Sequence, residues 1–89
     1  MSTMEICNMK IIKFSAEWCG PCKTLASVVE GTNLPFPVEN IDVDSDPDLA
    51  QQYNIRGVPT LILLNDKDEE VSRSIGMLTE TQLKEWANA

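Results

Sequence analysis

Two cysteines at the start of a predicted helix constrain this chain more than any other feature. The run Trp-Cys-Gly-Pro-Cys at positions 18–22 follows an apolar segment, 9–16, whose composition is typical of a β-strand. Proline suits the first turn of a helix and cannot continue a strand, so we expect the helix to begin at Pro21. Apolar residues at helical spacing should turn Cys22 towards the core and leave Cys19 at the exposed mouth of the helix. Free amides and the helix dipole stabilise a thiolate there, which makes a cysteine reactive near neutral pH.

Length and charge limit the classes of protein that this chain can belong to. Its 89 residues predict one domain, and seven basic against fourteen acidic residues give a net charge of −7. Phosphate backbones would repel such a surface, so nucleic acid is not expected as a direct ligand. The chain contains no histidine, which removes Ser-His and Cys-His catalysis.

The pattern of apolar residues bears on the cellular compartment. No apolar stretch approaches the roughly 20 residues of a membrane-spanning helix. The first ten residues lack the apolar run of a signal peptide, and three cysteines cannot form a paired framework. We therefore expect a soluble, cytoplasmic protein in a reducing setting, and we expect a monomer.

The order of apolar segments and turn residues predicts the fold class. Further strands are expected at 38–43, 61–64 and 71–75, the last two as an antiparallel hairpin. Asp46-Pro47 should cap a short second helix, and the capping box of Thr79 and Gln82 should begin a third, in which Trp86 serves packing. The order β-α-β-α-β-β-α describes an α/β fold, a mixed four-stranded sheet with helices on both faces.

Two separated motifs carry a family resemblance. They are Ala-Glu-Trp-Cys-Gly-Pro-Cys-Lys at positions 16–23 and Ile-Arg-Gly-Val-Pro-Thr-Leu at positions 55–61. The first resembles the active-site run of the thioredoxin family, and the second resembles another motif of that family. The resemblance extends from Met9 onward and implies the thioredoxin fold. It implies a single domain over 1–89 that lacks the N-terminal strand and helix of a full-length member, with the size of a glutaredoxin.

The resemblance implies a thiol-disulfide oxidoreductase that reduces protein disulfides. Cys19 would attack the substrate and Cys22 would resolve the mixed disulfide, so the redox-active Cys19–Cys22 disulfide would serve in place of a cofactor. The electron donor would be a flavin-dependent thioredoxin reductase or glutathione. A cis-Pro59 would present the Val58 backbone to an extended substrate peptide. The apolar rim implied for the substrate comprises Trp18, Gly20, Pro21, Val58, Pro59, Gly76 and Met77.

Two other functions stay open at this stage. A glutaredoxin-like, glutathione-dependent reductase fits the small size but not the active-site run, and Lys23 with Arg56 makes a weak cationic patch for the glutathione carboxylates. A non-catalytic subunit could use the same rim to hold a partner enzyme. A tetrahedral zinc site of sulfur and nitrogen ligands needs four of them, and beyond the pair the chain offers only Cys7 and no histidine, so no metal is expected. Cys7 itself fits a small buried apolar group better than a regulatory thiol.

Lys13 is the main departure from the family pattern, which places a buried acid at this position. Burial would lower the pKa of an amine there. Lys13 could act in proton transfer, pair with Glu39 or Glu17, or extend its amine to the surface. One hypothesis is that Lys13 lowers the pKa of Cys22 by proximity.

Overall fold

Strands and helices follow one another in the predicted order. The computed structural model describes residues 9–88. Its elements are β1 (Lys10–Ser15), α1 (Gly20–Gly31), β2 (Val38–Asp42), α2 (Pro47–Gln52), β3 (Thr60–Leu64), β4 (Glu70–Ile75) and α3 (Glu80–Ala87). Each strand agrees with its predicted bounds to within one residue at either end, because the apolar runs and the turn residues that limit them are local signals.

The sheet is mixed, with strand order β2-β1-β3-β4. The β1–β2 pair is parallel, as a strand-helix-strand connection favours, and the β1–β3 and β3–β4 pairs are antiparallel. The predicted hairpin is therefore confirmed as β3 and β4. The strand that leads into the cysteines, β1, is paired on both of its edges and lies inside the sheet.

Alternation along the inner strands produces two cores, one on each face of the sheet. On one face Ile11 packs with Leu25 of α1 and Leu83 of α3. On the other face Phe14 packs with Ile62, and α2 covers them. Helices on both faces are thus confirmed. Because side chains alternate, the side chain of Lys13 lies on the same face as Ile11, towards α1.

The second and third helices both begin where predicted, but only the third has a side-chain cap. Gln82 N donates to Thr79 Oγ1 at 3.2 Å and Thr79 N donates to Gln82 Oε1 at 3.0 Å, which completes the capping box. Asp46 occupies the N-cap of α2 and Pro47 begins the helix, as predicted, but the expected capping hydrogen bond from the Asp46 side chain is absent. The backbone of Asp46 (φ −132°, ψ 60°) lies outside the extended region in which the side chain of an N-cap residue accepts from the helix amides.

The last helix packs its tryptophan as expected. Trp86 contacts the core around Leu25, and its indole Nε1 donates to Ser72 Oγ at 2.9 Å. No helix between residues 9 and 88 combines the length and apolar character that a bilayer crossing requires.

Candidate active site

The two cysteines of the motif meet at the N-terminus of α1. Cys19 is the N-cap residue and Cys22 lies in the first turn, with a Cα–Cα distance of 5.3 Å and the two sulfurs joined as a disulfide. The backbone amide of Cys22 donates to Cys19 Sγ at 3.2 Å. A sulfur at this position can be stabilised as a thiolate by that amide and by the helix dipole once the disulfide is reduced.

Cys19 is far less exposed than the sequence predicts. Its exposed fraction is 5% and that of Cys22 is 3%. Cys19 packs with Ala16 and Val58, and its Sγ lies 3.8 Å from the carbonyl oxygen of Val58. The expectation of an exposed Cys19 was wrong because a loop distant in sequence covers the helix mouth. Gly20 and Pro21, between the two cysteines, are exposed.

The loop that covers Cys19 carries the second motif. Its Val58–Pro59 peptide bond is cis, as predicted. Thr60 Oγ1 donates to the Gly57 carbonyl at 2.7 Å, and the Gly76 amide donates to the Pro59 carbonyl at 2.9 Å. Gly76 has a φ of +95°, a backbone conformation that glycine adopts readily and other residues rarely adopt. The loop is thereby tied to the end of β4.

The residues expected to form an apolar rim differ in exposure. Trp18 is 71% exposed and Met77 is 43% exposed, whereas Val58 and Gly76 are half-buried. The ring of Pro59 is buried, so it adds no exposed surface to the rim. Ile75, which precedes Gly76 in the chain, is also 69% exposed.

Trp18 is held by a residue that sequence reasoning missed. Its indole Nε1 donates to Asp44 Oδ2 at 2.8 Å, and the Asp44 amide donates to Asp42 Oδ1 at 2.9 Å. These two carboxylates therefore accept hydrogen bonds from the protein itself, and residues 9–88 contain no cluster of three metal-ligating side chains. Cys7 lies outside the described residues.

An apolar pocket of about 170 Å³ opens beside Trp18 and the second-motif loop. No spacing in the sequence signals it, because its walls come from α2 and from the loops before α1, after β2 and before β3. The lining residues are Trp18, Val43, Ala50, Ile55, Arg56, Gly57 and Val58.

Lys13 is buried on the α1 side of the sheet, with an exposed fraction of 5%. It lines one pocket together with Cys22 and another together with Glu30. Pairing with Glu39 was wrong, because Asn40 is the β2 partner of Lys13 and Glu39 therefore points to the opposite face. Because only 5% of the residue is exposed, little of its side chain reaches solvent. Burial lowers the pKa of Lys13, and the charge of Glu30 partly offsets this effect.

Comparison with known proteins identifies the family. Residues 4–89 match the family model of thioredoxin. The chain belongs to the thioredoxin family. Thioredoxin of Chlamydia trachomatis is 43% identical over 79 residues, which cover 85% of this chain and 76% of that protein. The SPbeta prophage-derived thioredoxin-like protein of Bacillus subtilis is 41% identical over 68 residues, or 76% of this chain and 82% of that protein.

Solved structures agree with the thioredoxin fold. A mutant thioredoxin from Halobacterium salinarum superposes with a TM-score of 0.84 at 40% identity, covering 91% of this chain and 73% of that chain. Thioredoxin of Fasciola hepatica gives a TM-score of 0.81 at 30% identity, covering 92% and 80%. The protein is a thiol-disulfide oxidoreductase of the thioredoxin type, and its redox group is the intrinsic Cys19–Cys22 pair.

Proposed function

We propose that this thioredoxin reduces protein disulfides, with Cys19 as the attacking thiol and Cys22 as the resolving thiol. The observation that carries the assignment is the 3.2 Å hydrogen bond from the Cys22 amide to Cys19 Sγ. It puts the sulfur of Cys19, and not that of Cys22, at the positive end of α1, where ionisation costs least.

The reaction follows from thiol chemistry. The Cys19 thiolate attacks one sulfur of the substrate disulfide, and the other substrate sulfur leaves as a thiolate that takes a proton from water. Cys22 then loses its proton and attacks Cys19, which releases the second substrate thiol. The protein is left with the Cys19–Cys22 disulfide, and the substrate has gained two electrons.

The substrate peptide is proposed to bind along the second-motif loop. Among the backbone-to-backbone hydrogen bonds of residues 9–88, none uses the amide or the carbonyl of Val58. An extended peptide that paired with Val58 would carry its disulfide past Cys19, whose sulfur lies 3.8 Å from that carbonyl. The rim of Trp18, Gly20, Pro21, Val58, Gly76 and Met77 would contact its side chains, while Pro59 supports the loop from below.

We assign a flavin-dependent thioredoxin reductase, and not glutathione, as the electron donor. A glutathione site needs cationic groups placed together for two carboxylates. Arg56 lines the apolar pocket beside Trp18, whereas Lys23 lines the pocket that contains Cys22 and Lys13. The two candidate cations therefore belong to separate pockets. A monomer in the cytoplasm, where a reductase can keep the dithiol reduced, fits this assignment.

Reduction of insulin disulfides, followed by turbidity with dithiothreitol as donor, tests the assignment of the thiols. Cys19→Ser should abolish the reaction. Cys22→Ser, reduced and then mixed with insulin without dithiothreitol, should stay trapped as a mixed disulfide that mass spectrometry detects. Activity retained by Cys19→Ser would contradict the assignment. If the double Cys19→Ser, Cys22→Ser variant kept its cellular function, the protein would act as a binding subunit.

The donor is tested by supplying either NADPH with a thioredoxin reductase or glutathione with glutathione reductase. Faster turnover with the thioredoxin reductase is expected. Equal or faster turnover with glutathione would favour the glutaredoxin-like alternative.

A further inference from the structure

Lys13 is a buried amine that the steps above leave unused. It lies in the middle of β1, between Asn40 of β2 and Leu61 of β3, and only 5% of it is exposed. It lines a pocket of about 230 Å³ whose wall also includes Cys22, the thiol proposed to resolve the mixed disulfide. A second pocket, of about 390 Å³, lies between Lys13 and the end of α1.

The charged groups around Lys13 come from three directions. The loop before α1 supplies Glu17 to the pocket shared with Cys22, and the end of β2 supplies Asp42. Helix α1 supplies Lys23 to that pocket and Glu30 to the second pocket. On the same face β3 offers only the apolar Leu61 and Leu63. None of the ion pairs formed within residues 9–88 includes Lys13.

These surroundings make the ionisation of Cys22 depend on a cation. The first-turn amide that stabilises a thiolate already points at Cys19 Sγ. The carboxylate of Asp42, which is half-buried in the pocket, opposes a negative charge on Cys22. Glu17 and Lys23 are both exposed, so water and salt screen their charges. Lys13 is buried, and its field acts through a medium of lower dielectric constant.

We propose that the ammonium group of Lys13 stabilises the thiolate of Cys22 in the reduced protein, which makes Lys13 a positioning residue for the resolving step. This inference rests on the proposed function. The Cys22 thiolate attacks Cys19 in the mixed disulfide, the Cys19–Cys22 bond forms, and the bond from Cys19 to the substrate sulfur breaks. The electron pair leaves on the substrate sulfur, which takes a proton from solvent. Lys13 keeps its own proton. Its ammonium group stabilises the negative charge on the Cys22 sulfur, which is lost when the Cys19–Cys22 bond forms.

The size of the effect follows from thiol reactivity. An opposite charge nearby lowers a pKa by roughly one unit or more. Without Lys13 the thiolate fraction of Cys22 falls, although the thiolate that remains is a better nucleophile. The two trends together predict that resolution slows roughly three- to fourfold for each unit by which the pKa of Cys22 rises.

The test uses the aromatic disulfide DTNB, which releases one coloured thiolate when Cys19 attacks and a second when Cys22 resolves. Stopped-flow absorbance over a range of pH separates the two phases. Lys13→Met keeps an unbranched apolar side chain out to Cε and removes the charged amine, and Lys67→Met, on the exposed loop between β3 and β4, is the matched control. Only Lys13→Met should slow the second phase and shift its pH profile upward, with the first phase unchanged.

The outcomes separate this inference from the proposed function. A second phase that persists in Cys22→Ser would contradict the assignment of the resolving thiol. Two intact phases with the same pH profile in the wild type and in Lys13→Met would overturn the role of Lys13 alone.

A measurement on the wild type needs no substitution. Interacting groups shift each other equally, so the pKa of Lys13, followed by NMR at its Cε, should be higher in the reduced protein than in the disulfide form. Equal values in the two forms would overturn the inference, even if Lys13→Met failed to fold.

Discussion

Replacement of Gly76 by alanine should destabilise the protein without any steric clash. A Cβ added at Gly76 would find no heavy atom within 4 Å, so the cost is that of the backbone alone. Holding φ at +95° with a side chain costs about 1–2 kcal/mol. If the backbone moved instead, the 2.9 Å hydrogen bond from the Gly76 amide to the Pro59 carbonyl would be lost, at about 0.5–1.5 kcal/mol. The two routes together predict a loss of about 0.5–2 kcal/mol.

Urea unfolding followed by tryptophan fluorescence measures this loss. Thermal unfolding gives a second reading, since each kcal/mol lowers the Tm of a domain of this size by about 4–8 °C. Gly31→Ala is the matched control, because Gly31 lies in α1 and a Cβ added there also finds no heavy atom within 4 Å. This variant should be more stable than the wild type by up to about 1 kcal/mol, because alanine lowers the entropy of the unfolded chain. Equal stability of Gly76→Ala and the wild type, or a comparable loss in Gly31→Ala, would refute the reasoning.

Three further predictions concern a cap, the rim and an ion pair. Thr79→Ala should cost about 1 kcal/mol in urea unfolding, because the first turn of α3 loses its capping hydrogen bond. Asp44→Ala should raise KM for insulin while the Tm changes little, since it frees the exposed Trp18 indole; an unchanged KM would argue against Trp18 in substrate binding. Hydrogen bonding from Arg73 lowers the pKa of Glu70 below its ordinary value of 4.5. Stability from this pair is therefore present above that pH and lost as the pH falls below it, by less than about 1 kcal/mol because the pair is partly exposed. Glu70→Gln should remove this pH dependence from the free energy of unfolding measured between acid and neutral pH.

Much of the fold could be predicted because its signals are local. The apolar alternation of β1, the proline in the first turn of α1 and the capping box of α3 each involve residues a few positions apart. The cysteine spacing and the second motif likewise identify the chemistry from neighbours in sequence. Such patterns require no knowledge of how distant segments pack.

The predictions that failed, and the residues that were missed, depend on distant segments. Cys19 is buried because Val58, 39 residues later, lies against it. Trp18 is oriented by Asp44, 26 residues later, in a stretch of acidic residues that looks like a solvated surface in sequence. The partner of Lys13 across the sheet depends on strand register, and a shift of one residue would have put Glu39 on its face.

The loop between β3 and β4 lies at the far end of the sheet from the disulfide. Leu64, just before this loop, pairs with Lys10 at the start of β1, whereas Ser15 at the other end of β1 leads towards Cys19. The loop is exposed and is tied to the sheet by an ion pair between Lys10 and Asp68 at 3.6 Å. A fluorescent reporter or an affinity tag inserted there would extend into solvent away from the redox centre, which makes this loop the natural attachment point for immobilising the working enzyme.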